Sequence, residues 1–161
     1  SLYTLADVIN AGCRDGELDV RGISHRGYFA SITDFKSYHD ANMDLIDYKT
    51  ATDLFHDNWP IYTRTNNSCP THYFDTANVS NSVISNGSMI EGTVENSIVG
   101  RGCTIKKGAV IKNCVVLADC TIGENVHIEN LVVDKHAKIT HAKEIIRPAD
   151  EPGYIKRNDT L

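Results

Sequence analysis

The sequence predicts a mainly β protein: a parallel β-helix of about four turns built from hexapeptide repeats, preceded by a small α/β segment and an extended connector. The first observation is a repeat. Asn96-Ser97-Ile98-Val99, Asn113-Cys114-Val115-Val116 and Asn130-Leu131-Val132-Val133 recur 17 residues apart, and an earlier copy, Asn81-Ser82-Val83-Ile84, lies 15 residues before the first of them. The second is the spacing of aliphatic residues about six apart: Ile84 and Ile90; Val99, Ile105 and Ile111; Val116, Ile122 and Ile128; Val133 and Ile139. Six residues advance an α-helix by about 600°, which throws successive aliphatics to opposite sides, so one helix cannot bury them. Three short strands per turn bury all of them, each stacked on its counterpart one turn away.

The third observation concerns bends. Ser88, Cys103, Cys120 and Ala137 stand two positions before an aliphatic and fit corners, with Val94, Ala109 and Val126 as the equivalent on the following face. Gly87, Gly92, Gly100, Gly102, Gly108 and Gly123 are expected to supply bends of positive φ. The repeated asparagines are expected to form a ladder, bonding to one another and to backbone along the stack.

Ahead of the coil the periodicity changes. Leu2, Leu5, Val8 and Ile9 have helical spacing, predicting a short helix over 2–11 that ends at Gly12. Strands are expected at Leu18 to Val20 and at Gly27 to Ile32, then a helix from Asp34 to about Asp47, capped by Thr33 or Asp34 and carrying Phe35, Tyr38, Ala41, Asn42 and Leu45 on one face. Pro60, Pro70, Asn66-Asn67-Ser68 and the scattered aromatics Phe55, Trp59, Tyr62, Tyr73 and Phe74 mark an ordered connector whose aromatics are expected to lie against the first turn of the coil. The expected divisions are 1–47, 48–76 and 77–161.

Composition excludes several classes of function. With 161 residues, 41% apolar content and a formal charge of -5, the chain is an ordinary globular one without bulk attraction for nucleic acid or an anionic membrane. It has no apolar run of bilayer length and no signal-peptide pattern, so a cytoplasmic protein without membrane or nucleic-acid partners is expected. The five cysteines, Cys13, Cys69, Cys103, Cys114 and Cys120, form no CxxC pair, and the seven histidines show no metal-ligand spacing. Free thiols and no metal are the expectation.

Gly27-Tyr28-Phe29-Ala30-Ser31-Ile32, Ser37-Tyr38-His39-Asp40-Ala41-Asn42-Met43-Asp44-Leu45 and Pro60-Ile61-Tyr62-Thr63, followed by the hexapeptide coil, resemble in that order the carboxyl half of the glucose-1-phosphate adenylyltransferase (ADP-glucose pyrophosphorylase) family. The resemblance spans nearly the whole chain. It implies a left-handed coil, whereas the usual crossover preference points the other way. It also implies that 1–47 is the tail of a nucleotidyltransferase domain and that the whole enzyme, with Mg²⁺, converts ATP and glucose 1-phosphate to ADP-glucose and pyrophosphate. The family's glycine-rich nucleotide loop and substrate-binding lysine belong to an amino-terminal domain that these residues do not include, so no complete active site and no cofactor are expected in the chain as given.

One departure from the family pattern carries chemistry. Catalytic members have a magnesium-holding aspartate where this sequence has Ser31. Mg²⁺ prefers charged oxygen ligands, which a serine hydroxyl does not supply, and Asp34, three residues on, is better placed to cap a helix. The resemblance therefore implies the D-type, non-catalytic or regulatory subunit, assembling with a catalytic subunit, with itself or with both. A basic strip, Arg101, Lys106, Lys107 and Lys112, is the candidate contact for a sugar-phosphate effector; lysines solvated at coil corners are the alternative. Two readings of other classes stand beside this one. A hexapeptide acyltransferase would use His127 or His136 as general base, and a plain oligomerisation scaffold would bind no effector.

Overall fold

A computed structural model describes residues 3–161. Three helices come first, α1 (Leu5–Arg14), α2 (Phe35–Asp44) and α3 (Tyr48–Leu54). Fifteen short strands follow: β1 (His72–Tyr73), β2 (Asn78–Ser80), β3 (Val83–Ile84), β4 (Met89–Ile90), β5 (Thr93–Glu95), β6 (Ile98–Val99), β7 (Thr104–Ile105), β8 (Val110–Lys112), β9 (Val115–Val116), β10 (Thr121–Ile122), β11 (His127–Glu129), β12 (Leu131–Val133), β13 (Lys138–Ile139), β14 (Glu144–Ile146) and β15 (Gly153–Ile155). Every third strand pairs in parallel, giving three five-stranded sheets ordered β1-β4-β7-β10-β13, β2-β5-β8-β11-β14 and β3-β6-β9-β12-β15. We call them the first, second and third sheets. The chain climbs a three-sided coil, and four turns separate the first strand of each sheet from its last.

The six-residue spacing is the reason for this shape. Ile90, Ile105, Ile122 and Ile139 stack in register inside the first sheet. Val79, Val94, Ile111, Ile128 and Ile145 do so in the second, and Ile84, Val99, Val116, Val133 and Ile155 in the third. In the middle turns these residues have no exposed surface, and they form one continuous core. Val94 is therefore a core aliphatic of the second sheet and not a corner residue as its small size suggested. Gly92 holds that corner, because the Thr93 N–H reaches Ala109 O at 2.8 Å and so sets Gly92 beneath Ala109.

The bends divide their work in a way the glycine count did not reveal. Gly87, Gly102 and Gly108 do have positive φ, but Gly92, Gly100 and Gly123 do not. At Gly92 the requirement is clearance: an added Cβ would stand 2.5 Å from Ala109 O on the next turn. Most left-handed corners are held by other residues, among them Asn81, Asn96, Asn113 and Asn130 with φ of 41°, 43°, 50° and 55°. Asparagine tolerates that region because its short amide bonds locally. Here the amides bond along the stack: Asn81 Nδ2 donates to Asn96 Oδ1 at 2.8 Å, Asn96 to Asn113 at 3.2 Å, Asn113 to Asn130, and Asn130 to Arg147 O. Corner hydroxyls serve the buried backbone. Ser88 Oγ accepts from Cys103 N at 3.1 Å, and Ser97 Oγ from Cys114 N at 3.1 Å.

The last turn is longer than the others, 22 residues from Val133 to Ile155, because Pro148 to Pro152 loops out. The segment after β15 then folds across the open end. Lys138 N donates to Asp159 O at 2.8 Å, Leu161 N to Lys138 O at 2.9 Å and Thr140 N to Leu161 O at 2.7 Å, while Leu161 packs on the core. Backbone groups that would otherwise face water at a sheet end are satisfied within the chain.

The amino-terminal segment departs from expectation in four places. Thr4 caps α1, which ends at Asp15 and Gly16 (φ +74°), so Gly16 and not Gly12 is the terminating glycine; Leu2 lies outside the described residues. No strand forms at 18–20 or 27–32, since a strand exists only through a ladder partner and none of the described residues offers one there. Asp34 caps α2 as expected, accepting from Ser37 N at 2.7 Å, but α2 stops at Asp44 because Asp47 caps the unforeseen α3, accepting from Thr50 N at 2.8 Å. The connector aromatics do not lie flat: Trp59 is 84% and Tyr62 91% exposed. The coil's outer surface is instead covered by α2. Its His39, buried to 2% exposure, places Nε2 2.9 Å from Asn113 O, and Phe35 meets Tyr154 edge-on at 5.7 Å. Val115 and Val132 of the third sheet, which lie outside the inner core cluster, are both buried, and α2 packs against β9, the strand of Val115.

Candidate functional site

A coil with three sheets has three edges, and the structure distributes the basic strip among all of them. Arg101 lies on the edge between the third and first sheets, just after β6. Lys106 and Lys107 lie on the edge between the first and second sheets, where Lys107 N donates to Glu91 Oε2 at 3.2 Å. Lys112 ends β8 beside the asparagine ladder and pairs with Glu95 at 3.4 Å. The four do not converge. The reading of them as one strip is corrected by the 17-residue turn: residues 101, 106 and 112 fall on successive edges, whereas residues 17 apart share one.

The edge bearing Arg101 does gather charge. Successive backbone bonds, Asp119 N to Arg101 O (2.8 Å), His136 N to Ala118 O (3.0 Å) and Asn158 N to Lys135 O (3.1 Å), stack Arg101, Ala118, Lys135 and Arg157 in one column. The next column holds Gly102, Asp119, His136 and Asn158, all in the left-handed region. The connector completes the site, because Arg101 Nη1 donates to Arg64 O at 3.1 Å and brings Thr65 and Asn66 alongside. Between these residues lies a cavity of about 490 Å³. Ala118, which also lines the cavity, takes the position between Arg101 and Lys135 in the column.

Four basic residues, Arg64, Arg101, Lys135 and Arg157, thus line one cavity together with the carboxylate of Asp119, on a chain whose net charge is -5. Asp119 Oδ2 is 3.6 Å from His136 Nδ1. Asp134 stands at the border, accepting from Tyr154 Oη at 2.6 Å and from Lys135 N at 2.7 Å. The Tyr154 bond first, then the Lys135 N–H and the nearby Arg157 and Lys135 charges, hold its carboxyl below the usual carboxylate range. Such an edge can hold an anion through several guanidinium and ammonium donors at once. Arg101 was legible as a candidate. Lys135 could have been found from its 34-residue offset, but the looped last turn conceals Arg157 and nothing periodic marks Arg64.

The other candidates are placed apart. Ser31 is exposed on a segment without regular structure, and the Asp34 carboxylate is engaged at the N-cap of α2, its pKa lowered chiefly by the Ser37 N–H. Ser31 and Asp34 therefore do not fit a magnesium site, and among the described residues no three His, Cys, Asp or Glu side chains converge to hold a metal. His127 faces outward from the second sheet, its Nε2 2.7 Å from Glu129 Oε1, while His136 lies on the edge between the other two sheets. They share no cleft. Cys103, Cys114 and Cys120 are buried, and loss of water pushes the Cys114 thiol up to about 12. No helix among the described residues is long and apolar enough to cross a membrane.

Similarity to known proteins follows the same outline. The chain is 38% identical over 133 residues to a glycogen biosynthesis protein GlgD of Bacillus subtilis (strain 168), covering 83% of this chain and 39% of that protein. It is 42% identical over 86 residues to a glucose-1-phosphate adenylyltransferase of Geobacillus stearothermophilus, covering 53% of this chain and 22% of that protein. A glucose-1-phosphate adenylyltransferase of Bacillus mycoides (strain KBAB4) is 36% identical over 122 residues, covering 76% and 32%. The chain spans two fifths or less of the length of these relatives. The family model for the GlmU-like, C-terminal hexapeptide matches residues 70–151, just over half of the chain and the greater part of the coil. With its stacked hexapeptide turns in register along that span, the chain belongs to the GlmU-like C-terminal hexapeptide family.

Proposed function

We propose that the chain is the assembly and regulatory part of an ADP-glucose pyrophosphorylase-family subunit of glycogen synthesis, of the D type, binding a sugar-phosphate effector at the cationic edge. The observation that carries the proposal is the cavity formed by Arg64, Arg101, Lys135 and Arg157. Phosphate esters present several acceptor oxygens, which forked guanidinium donors match. The match to GlgD over 83% of the chain supports the D-type assignment, and the neutral Ser31 agrees with it.

On this reading residues 1–47 are the tail of a nucleotidyltransferase domain, 48–76 a connector and 77–161 the regulatory coil. In support, Leu5, Ile23 and Phe29 are 77%, 94% and 78% exposed, and an apolar groove of about 430 Å³ runs among Tyr28, Phe29, Ile32, Ala41, Leu45 and Leu54. Apolar surface of that extent suits burial against further protein. The partner is a catalytic subunit, a second copy or both, in the cytoplasm, and the assembled enzyme makes ADP-glucose and pyrophosphate from ATP and glucose 1-phosphate with Mg²⁺ held by residues outside this chain.

Calorimetric titration with fructose bisphosphate and other sugar phosphates tests the proposal. Binding heat is expected from the chain and at least a tenfold loss of affinity from Arg101→Ala/Lys135→Ala, with Lys106→Ala/Lys107→Ala unchanged. No heat from any sugar phosphate, in a chain that sedimentation shows to associate, would leave a plain scaffold.

A further inference from the structure

We infer that anion binding at the cationic edge is proton-linked through His136, whose imidazole lines the same cavity. This rests on the effector-site reading and adds a regulatory property to it. The motivating geometry is the placement of one imidazole among fixed charges. His136 occupies a left-handed corner (φ +63°) one turn along the stack from Asp119 (φ +60°), and both line the cavity.

Five charged groups bear on the ring. Arg64 comes from the connector, Arg101 from the bend after β6, Asp119 from the bend after β9, Lys135 from the bend after β12 and Arg157 from the closing segment. Asp134, engaged by Tyr154, is a sixth at the rim. The four basic side chains place positive charge around the ring, and Asp119 Oδ2 lies 3.6 Å from its Nδ1. Among the described residues nothing bonds His136 Nε2, which leaves that nitrogen for a ligand. An anion entering the cavity offsets that positive charge and stabilises the imidazolium. By reciprocity, the protonated ring strengthens anion binding. No covalent step is involved; at most one proton per bound anion is taken up from solvent, by the imidazole.

Sulfate is the appropriate probe, because its charge stays constant where an imidazole titrates and a phosphate ester's does not. Calorimetry with the chain between about pH 5.5 and 8 is expected to show sulfate binding roughly tenfold tighter at the acid end. In His136→Asn, chosen because asparagine tolerates the left-handed corner, binding is expected to persist at its weaker, alkaline level and lose its pH dependence. NMR titration of the His136 ring with and without sulfate reads the linkage directly, as an upward displacement of its midpoint by sulfate. A pH dependence that survives in His136→Asn, or a wild-type affinity that does not vary with pH, overturns the proton linkage alone. Sulfate binding that is absent at every pH, or indifferent to Arg101→Ala/Lys135→Ala, overturns the effector-site reading with it.

Discussion

Asn113 combines two roles that separate cleanly by mutation. Its φ of 50° favours a residue at ease in the left-handed region, and its amide links Asn96 above to Asn130 below. Asn113→Gly keeps the backbone and loses the bonds; Asn113→Ala loses both. Chemical denaturation is expected to show Asn113→Gly less stable by about 1 to 2 kcal/mol and Asn113→Ala by about 1 kcal/mol more, the cost of a Cβ at positive φ. Gly92 and Gly102 make the converse pair. A methyl at Gly92 meets backbone, Ala109 O at 2.5 Å, while at Gly102 it meets the movable Asp119 side chain but demands a left-handed alanine. Gly92→Ala is expected to be the worse, because strands fixed on both sides cannot yield. Equal losses in the two variants would contradict that ordering.

At the level of elements, α2 is the strap between the amino-terminal segment and the coil, and it is fastened at His39 and Phe35. Removing the imidazole leaves Asn113 O without that partner and empties a buried position between α2 and the coil. In His39→Ala, amide exchange is expected to accelerate across 35–54 while the β6 to β12 turns keep their protection. Strand β15, which leads into the closing segment, has an acid-sensitive fastening of its own. Asp134 has a lowered pKa, so the stability it contributes is present at neutral pH, above the ordinary carboxylate value of about 4, and is lost as pH falls through its lower folded value. Thermal melts are expected to be less sensitive to acid in Tyr154→Phe, which lacks the first of the groups lowering that pKa.

For the whole molecule, a solenoid distributes stability along its axis, each turn resting on its neighbours. Ile111 sits mid-stack without exposed surface, and Ile111→Ala is expected to cost about 2 to 5 kcal/mol and to loosen turns on both sides. Ile145, near the end and partly buried, is expected to cost less when truncated. Calorimetric melting of the two variants checks the difference.

The hexapeptide spacing by itself determined the coil, its three faces and the aliphatics that fill it, because residues one turn apart are forced into register once three strands close a turn. The ladder asparagines were legible for the same reason. Strands 18–20 and 27–32, by contrast, were read from local composition, and composition cannot supply a pairing partner. The site was decided by tertiary structure. Arg64 arrives from a connector with no period, Arg157 from beyond an irregular loop and His39 from a helix outside the repeat. Arg101, the Lys106–Lys107 pair and Lys112 were parted because each step of about six residues turns the chain onto another edge.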